Sequence, residues 1–499
     1  MIPILSPLPL YEFQQKDVDK LCQNVAGLDG SEMGTGKTLK GVAIDGKYRT
    51  ASDSKCRDIT LVIAPLNVGP VWTKWFKRQA PHLRVGRLNP KNRAAFLQSI
   101  SNSELDVYVM HWDALRLMPE LARLHFFHII ADEAHRASNR KAQQTQALKR
   151  LKTEHKTAMS GTLSGNKPAG LWSPLNWVYP RDWRSYWRFD KQFVVRSDPD
   201  PVHGYTKVIG VKNESMLQRE IRPYYVRHLK KQKCCENHPL GVMPWLEDKY
   251  YETVWVELAP SQRKKYDQMR KNQLAWVGAH EDKPLTANIV MAQMTRLTQF
   301  AGADADIIPT KVNRKLKDAS GDFTGEYEVV VEDRVRLQEP SSKLDVCMQF
   351  IMDNEDKQFV VWSGSKQMID LLGARLEKAK VDHVLFTGAT PAAIRDTIEE
   401  DFASGRYRVF AGVIKAGGVG LTLTAASTEI FLDRSWDGVE NQQAEDRLHR
   451  DGQKNAVQVI DILAKNTTDL GRNQNLEQSW GWLKQLLGDT NVVQRLLAE

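Results

Sequence analysis

The segment Leu28-Asp29-Gly30-Ser31-Glu32-Met33-Gly34-Thr35-Gly36-Lys37-Thr38 has the residue types of a loop that wraps a phosphate. Glycines at 34 and 36 free the backbone to curl until successive N–H groups face one anion. Met33, Gly34, Thr35 and Gly36 would form the cradle, Lys37 would reach the β- and γ-phosphates, and the Thr38 hydroxyl would ligate Mg²⁺. The strict pattern asks for Gly where this chain has Ser31, so the loop needs a partner. Further along, the apolar run Phe126–Ala131 leads straight into Asp132-Glu133-Ala134-His135. Carboxylates at the C-terminal end of such a strand lie where an α/β sheet binds ligands. Asp132 can hold the Mg²⁺, and Glu133 can orient and deprotonate the attacking water. The chemistry this pair predicts is phosphoryl transfer from a nucleoside triphosphate to water.

Residues so far apart in sequence meet only if a sheet brings them to one edge. Short apolar β-rich runs alternate with longer amphipathic stretches, the pattern of α/β folds with parallel sheets. Strands are expected at Ile59–Ala64, Val107–Met110, His128–Ala131 and Thr157–Met159, with helices over Val71–Arg78 and Ala142–Leu151. A second series follows at Gln358–Trp362, His383–Phe386, Arg408–Val413, Glu429–Leu432 and Val457–Ile462. Two such series predict two similar lobes. We expect a first lobe over residues 1–235, with its core in 1–180 and a helical insertion over 181–235. A linker and insertion over 236–340 and a second lobe over 341–499 complete the plan. Within the charged stretch Lys311–Asp333, Tyr327–Glu332 reads as a short strand, and Ser341-Ser342-Lys343-Leu344 reads as a helix cap.

The second lobe carries its own candidates. Ala416-Gly417-Gly418-Val419-Gly420-Leu421 follows a strand and would bring backbone close to a ligand or form a plain turn. On a helix, Arg447 and Arg450 would project from one face. They are either solvated surface arginines or, opposite a phosphate loop, fingers that reach the γ-phosphate when the lobes close. ATP would then bridge the lobes, and its hydrolysis would let them move.

A chain of 499 residues exceeds one hydrophobic core. No apolar run approaches the roughly 20 residues that span a bilayer, and the N-terminus lacks a signal-peptide layout, so a cytoplasmic location is expected. The net charge of +9 permits a polyanionic partner without demanding one. Five scattered cysteines argue against a disulfide framework, and Cys234-Cys235-Glu236-Asn237-His238 reads as a loop with free thiols rather than a zinc site.

These motifs, in this order, resemble the Swi2/Snf2 family of superfamily 2 helicase-like ATPases over nearly the full length. Leu10-Tyr11-Glu12-Phe13-Gln14 resembles the adenine-recognising Q motif, which implies Gln14 as an adenine contact. Ala64-Pro65-Leu66-Asn67 with Trp72 and Trp75, the extended Asp132–Asn139 box, and Ser160-Gly161-Thr162-Leu163 are similar to successive family motifs, although Leu163 stands where most members have Pro. Arg222–Lys231 resembles the segment that distinguishes the family, Lys415–Thr424 its motif V, and Gln443–Gln453 its motif VI, with Asp451 in place of an apolar residue. The resemblance implies two RecA-like lobes, ATP and Mg²⁺ as cofactors, and translocation on double-stranded DNA, branched DNA included, by a monomeric motor. It also implies Gly418 as a nucleotide contact, and His135, Ser160, Thr162 and Gln443 as residues coupling nucleotide to DNA. The compact chain fits a bacterial or bacteriophage motor.

Other readings stay open at this level. A strand-separating DNA or RNA helicase would need a wedge, and no segment identifies one. An ATP-gated nucleic-acid clamp would not need the full set of Lys37, Asp132, Glu133, Arg447 and Arg450. Trp172, Trp177, Trp183 and Trp187, interleaved with Arg181, Arg184 and Arg188, suit either stacking on nucleic acid or core packing. Arg227, Lys230, Lys231 and Lys233 would line a phosphate-binding face or a solvated helix.

Overall fold

The computed structural model describes residues 8–51, 58–88, 92–163, 168–199, 206, 208–233, 238–278, 287–317, 323–417 and 420–469. Both expected series fold as parallel sheets. The first has seven strands in the spatial order Val85–Arg87, Val107–His111, Thr60–Ala64, His125–Asp132, Lys152–Met159, Ala26–Asp29 and Tyr225–Val226. The second has six, in the order Lys249–Val256, Val457–Ala464, Thr428–Phe431, Phe359–Ser363, Val409–Val413 and His383–Phe386.

Helices cover both faces of each sheet, so successive strand residues enter different cores. Leu61 and Ile63 pack into one core of the first lobe, and Val62 and Ala64 into the other. In the second lobe, Phe359 and Val361 separate from Val360 and Trp362 in the same way. This is why the strands read as unbroken apolar runs. Their C-terminal ends line up, which brings the chain after Asp29, Asp132 and Met159 to one edge.

Three expectations need correction. The second sheet begins at Lys249, well before residue 341, because Lys249–Val256 pairs in parallel with Val457–Ala464 along its whole length. The first lobe's expected helical insertion does hold helices Tyr186–Phe193 and Glu214–Ile221. It also holds the antiparallel pair Val194–Arg196 and Val208–Val211, and it returns Tyr225–Val226 to the first sheet. The short strand at Tyr327–Glu332 is part of a much longer ribbon, Asp304–Lys317 paired antiparallel with Phe323–Gln338. Val329 and Val331 are exposed on it and pair with Asn313 and Lys311. At its base Ala305, Val335 and Leu337 are buried in the second lobe's core while Asp306 and Arg336 are exposed; farther out, polar residues pair with apolar ones and that alternation is lost. The cap at Ser341 is as expected: its hydroxyl accepts from Leu344 N–H, and helix Ser342–Asp353 follows. Among the described residues, no helix is long and apolar enough to cross a membrane.

Candidate functional site

The phosphate loop is suspended between two strands and the chain that follows one of them. Gly30 N–H donates to Val226 O at 2.9 Å, Glu32 N–H to His228 O at 2.9 Å, and Lys230 N–H to Glu32 Oε2 at 2.6 Å. Gly34 and Gly36 both sit at φ +81°, the left-handed region that turns consecutive amides toward one side. Lys37 opens helix Lys37–Ala51, so the loop ends on a helix N-terminus, with Thr38 half-buried in the first turn. Lys37 Nζ donates to the carbonyls of Ser31 at 2.7 Å and Glu32 at 2.9 Å. Met33 is buried against Gly161. Gln14 lies beneath the loop, donating to Thr35 O at 2.9 Å and accepting from Tyr11 N–H at 3.0 Å. A methyl group on Gly36 would collide with the Gln14 amide.

Ser31, the departure from the strict loop pattern, belongs to a buried polar plinth that sequence reasoning missed. Its hydroxyl accepts from Lys40 Nζ and from His228 N–H, each at 3.2 Å. Lys40 is fully buried and ion-paired with Asp17 at 2.8 Å and Asp29 at 2.6 Å. A buried lysine is tolerated only with such partners. The signal was present as charged residues on elements that otherwise read as core.

The two carboxylates lie next to the loop. Asp132 Oδ2 accepts from Trp72 Nε1 at 2.7 Å, Asp132 Oδ1 from Glu133 N–H at 2.9 Å, and Asp132 O from Trp112 Nε1 at 2.8 Å. Glu133 is held at φ 49°, ψ 49°, a conformation that costs a non-glycine residue roughly 1–3 kcal/mol. Burial and the charge of Glu133 push the Asp132 carboxyl up. Burial acts the same way on Glu133. The hydrogen bond from His135, with the charges of His135, Lys37 and Arg447, outweighs it and holds Glu133 low. Adjacent carboxyls driven apart in this way can take different roles.

His135 and Ser160 close a small cluster on Glu133. Ser160 Oγ donates to Glu133 Oε2 at 3.2 Å, while His135 Nδ1 lies 2.9 Å from Ser160 Oγ and 3.3 Å from Glu133 Oε2. Thr162 N–H donates to Ser160 Oγ at 3.1 Å, and Thr162 Oγ1 is buried with no hydrogen-bond partner among the described residues.

The second lobe delivers its arginines to the same place, although not from a helix. Helix Gly438–Glu445 stops before them, and Arg447 and Arg450 lie in the turn that follows. The turn tightens at Arg447, whose N–H donates to Ala444 O at 3.0 Å, three residues back, while Gln443 O accepts from its side chain instead. Both guanidinium groups still converge, since each donates through Nη1 to Leu421 O at 3.1 Å. Arg450 packs against the phosphate loop, its Cβ 3.1 Å from where a Cβ on Gly34 would sit. Gln443 accepts from Arg447 Nε through its carbonyl at 2.8 Å and is itself buried. Gly418 lies outside the described residues.

A cleft of about 710 Å³ opens from Glu133 and His135 and runs between the lobes. Arg136, Arg140 and Lys141 line it from the first lobe, and Lys415 and Gln443 from the second, with Asp437 and Glu440 as acidic members. Asn67 clips the lobes near this cleft, donating to Ala416 O at 2.7 Å and accepting from Arg395 Nη1 at 2.9 Å.

For three of the four tryptophans the structure selects core packing, and for Arg227 and Lys230 it matches neither reading. Trp172, Trp177 and Trp183 are buried in the core, and Trp187 alone of the four is exposed, at 68 %. Arg227 and Lys230 line no open face and belong to no helix. Arg227 Nη1 donates to Gly30 O at 2.7 Å, and Lys230 is buried between the lobes.

Comparison with known proteins matches the SNF2-related domain to residues 15–303 and the helicase conserved C-terminal domain to residues 342–452. An uncharacterized ATP-dependent helicase of Mycoplasma genitalium is 25 % identical over 95 % of this chain and 41 % of its own length. The transcription regulatory protein SNF2 of Saccharomyces cerevisiae is 25 % identical over 89 % of this chain and 25 % of its own length. The DNA excision repair protein ERCC-6 of Homo sapiens is 25 % identical over 92 % of this chain and 31 % of its own length. The chain therefore spans between a quarter and two fifths of these relatives. Among solved structures, the Sulfolobus solfataricus SWI2/SNF2 ATPase core in complex with dsDNA is 21 % identical, with a TM-score of 0.42, and the match covers 99 % of this chain and 96 % of that one.

Proposed function

Since the chain belongs to the SNF2-related family of helicase-like ATPases, we propose that it hydrolyses ATP between its two lobes and uses the cycle to move along or remodel double-stranded DNA. The observation that carries this reading is the contact of Arg450 with Gly34, together with the charge of Arg447 acting on Glu133. Two half-sites on separate lobes make one complete phosphoryl-transfer site when they meet.

In this reading the amides of Met33–Gly36 and the Lys37 ammonium bind the phosphates, and Gln14, beneath the loop, contacts the adenine. Thr38 and Asp132 would hold Mg²⁺. Hydroxyl and carboxylate oxygens suit that ion, and a buried carboxyl driven up by a second carboxylate is a setting that a divalent cation relieves. Bound there, the ion would neutralise charge on the transferring phosphoryl group. Glu133, kept ionised by His135, orients and deprotonates the water. Arg447 and Arg450 stabilise the charge that builds in the transition state. His135, Ser160, Thr162 and Gln443 join this centre to the cleft, where Arg136, Arg140, Lys141 and Lys415 would follow a phosphate backbone. Loss of the bridging phosphate would free the lobes to shift on that backbone.

ATP hydrolysis by wild type and Glu133→Gln, compared with no nucleic acid, duplex DNA, single-stranded DNA, forked DNA and RNA, tests the reading. Stimulation by duplex DNA that disappears in Glu133→Gln supports it, and a preference for forks narrows it to branched DNA. Absence of turnover with every nucleic acid would leave an ATP-gated clamp.

A strand-separating helicase would need a wedge, and in that reading the antiparallel pair Asp304–Lys317 and Phe323–Gln338, exposed at Ile307, Ile308, Val329 and Val331, would serve as one. A displaced-strand assay with the ribbon shortened tests it: strand release that depends on the ribbon supports unwinding, and its absence leaves the translocase.

A further inference from the structure

Lys230 lies outside the phosphate loop and outside the arginine-bearing turn, yet it touches both. Its backbone N–H is taken by Glu32 Oε2 of the loop at 2.6 Å, and its Cδ runs 4.0 Å from where a Cβ on Gly34 would sit. Its Nζ crosses to the second lobe and donates to Asp446 Oδ1 at 2.6 Å and to His449 O at 2.8 Å. Asp446 immediately precedes Arg447, and His449 immediately precedes Arg450. The side chain is only 3 % exposed, so the bond is made without competition from water.

The far end is anchored in turn. Lys249 Nζ bonds Asp446 Oδ1 at 3.3 Å and Glu445 Oε2 at 3.0 Å. Arg434 then ties Glu445 at 2.7 Å to Asp461 at 2.6 Å, on a central strand of the second sheet. A backbone hydrogen bond from Lys230 to the phosphate loop and a run of ion pairs from its Nζ therefore connect the loop to the second sheet. By comparison, the nearby tie from Tyr11 OH to Asp451 Oδ2, at 3.2 Å, is solvent-exposed and counts for little.

The geometry points to Lys230 as a positioning residue, an interlobe strut that sets Arg447 and Arg450 against the phosphate loop. This deepens the proposed ATPase reading and rests on it for its catalytic consequence. Without Lys230, Asp446 keeps Lys249, so the second lobe retains its own network and the tie across the cleft is what disappears. What Asp446 loses is its shorter ion pair, 2.6 Å against 3.3 Å to Lys249, and since that pair lies between the lobes, parting them lets water solvate the carboxylate. Lys230 therefore governs how often the arginines are in place, not whether ATP is bound.

The test combines ATP kinetics with amide hydrogen exchange on Lys230→Met, Lys230→Arg, Asp446→Asn and Lys230→Met/Asp446→Asn. In Lys230→Met we expect kcat to fall about tenfold or more with KM for ATP within about threefold. Exchange should rise together at 30–36 on one lobe and 446–453 on the other. Lys230→Arg should recover most of the rate, and the double variant should be no slower than Lys230→Met alone. Unchanged kcat, or faster exchange confined to 226–233, would overturn the strut. If wild type hydrolyses no ATP while exchange still rises on both lobes, the strut stands and the ATPase reading falls. If wild type turns over normally while exchange in Lys230→Met is unaltered, the ATPase reading stands and the strut falls.

Discussion

The indole Nε1 of Trp72 donates a 2.7 Å hydrogen bond to Oδ2 of Asp132. The ring is fully buried and lies in a slot opened by Gly41, where an added Cβ would come 2.6 Å from the indole edge. The tryptophan thus joins helix Gly69–Gln79 and helix Lys37–Ala51 to the carboxylate that would hold the metal.

Trp72→Phe keeps most of the packing and removes the donor. A charged buried acceptor left short of a partner costs about 1–3 kcal/mol, so denaturant melts should show a loss of that order. The Asp132 carboxyl, already pushed up by burial and Glu133, should rise further. ATP turnover in Trp72→Phe should then need more Mg²⁺ than wild type, read from a Mg²⁺ titration at fixed ATP.

Gly34 and Gly46 make a matched pair. At Gly34, φ is +81° and the Arg450 Cβ lies 3.1 Å from an added Cβ; at Gly46, within helix Lys37–Ala51, nothing lies within 4 Å. Gly34→Ala should cost roughly 1–2 kcal/mol in backbone strain and slow turnover by keeping the arginine turn off the loop. Gly46→Ala should leave turnover unchanged and raise stability by about 0.5–1 kcal/mol. Thermal melts and steady-state ATPase on both variants check the contrast.

Arg447 and Arg450 share one carbonyl acceptor, Leu421 O, which brings the two guanidinium groups together. Arg447→Ala and Arg450→Ala should each lower kcat by ~10³-fold or more, the range of arginine fingers supplied across an interface. ATP affinity, measured with a fluorescent analogue, should barely change. Near-normal turnover in Arg450→Ala would remove it from the site.

Glu429 is fully buried on strand Thr428–Phe431, facing Glu445, Lys249 and Arg434 and accepting from Trp362 Nε1 at 3.0 Å. Burial and the charge of Glu445 push its carboxyl from 4.5 up to about 8. An unfolded chain releases this proton near the ordinary value, whereas the folded chain retains it. Glu429 therefore penalises the folded state progressively as pH rises from about 4.5 to about 8. Glu429→Gln should raise the denaturant midpoint at pH 9 relative to wild type, with little difference near pH 5. Equal gains at both pH values would contradict the shift.

Much of the architecture was legible because apolar run and strand coincide when both sheet faces are covered: Val107–Met110 and His383–Phe386 appear almost unchanged as strands. The ribbon showed in the sequence only as Tyr327–Glu332, and the edge strand Lys249–Val256 not at all, because most of their described side chains lie partly or fully in water. Tyr250 and Tyr251 are 61 % and 63 % exposed on that strand, which no burial pattern announces. Arg447 and Arg450 were legible as a pair but not as a turn, since local spacing does not reveal that Arg447 Nε takes the Gln443 carbonyl while Arg447 N–H turns to Ala444 O.

The order of glycines, lysine and hydroxyl at Gly34–Thr38, and of carboxylates at Asp132 and Glu133, is a local property, and sequence alone determined it. Backbone freedom and side-chain chemistry reside in single residues. Which charges face each other is not local. Lys230 read as part of a basic cluster for a phosphate face or a solvated helix, and only the tertiary structure buried it against Asp446 and set Lys40 between Asp17 and Asp29. Burial, and the partner that makes burial tolerable, are set by distances between segments some ten to two hundred residues apart. No local pattern encodes such distances, because the energy of a charge depends on what surrounds it in space.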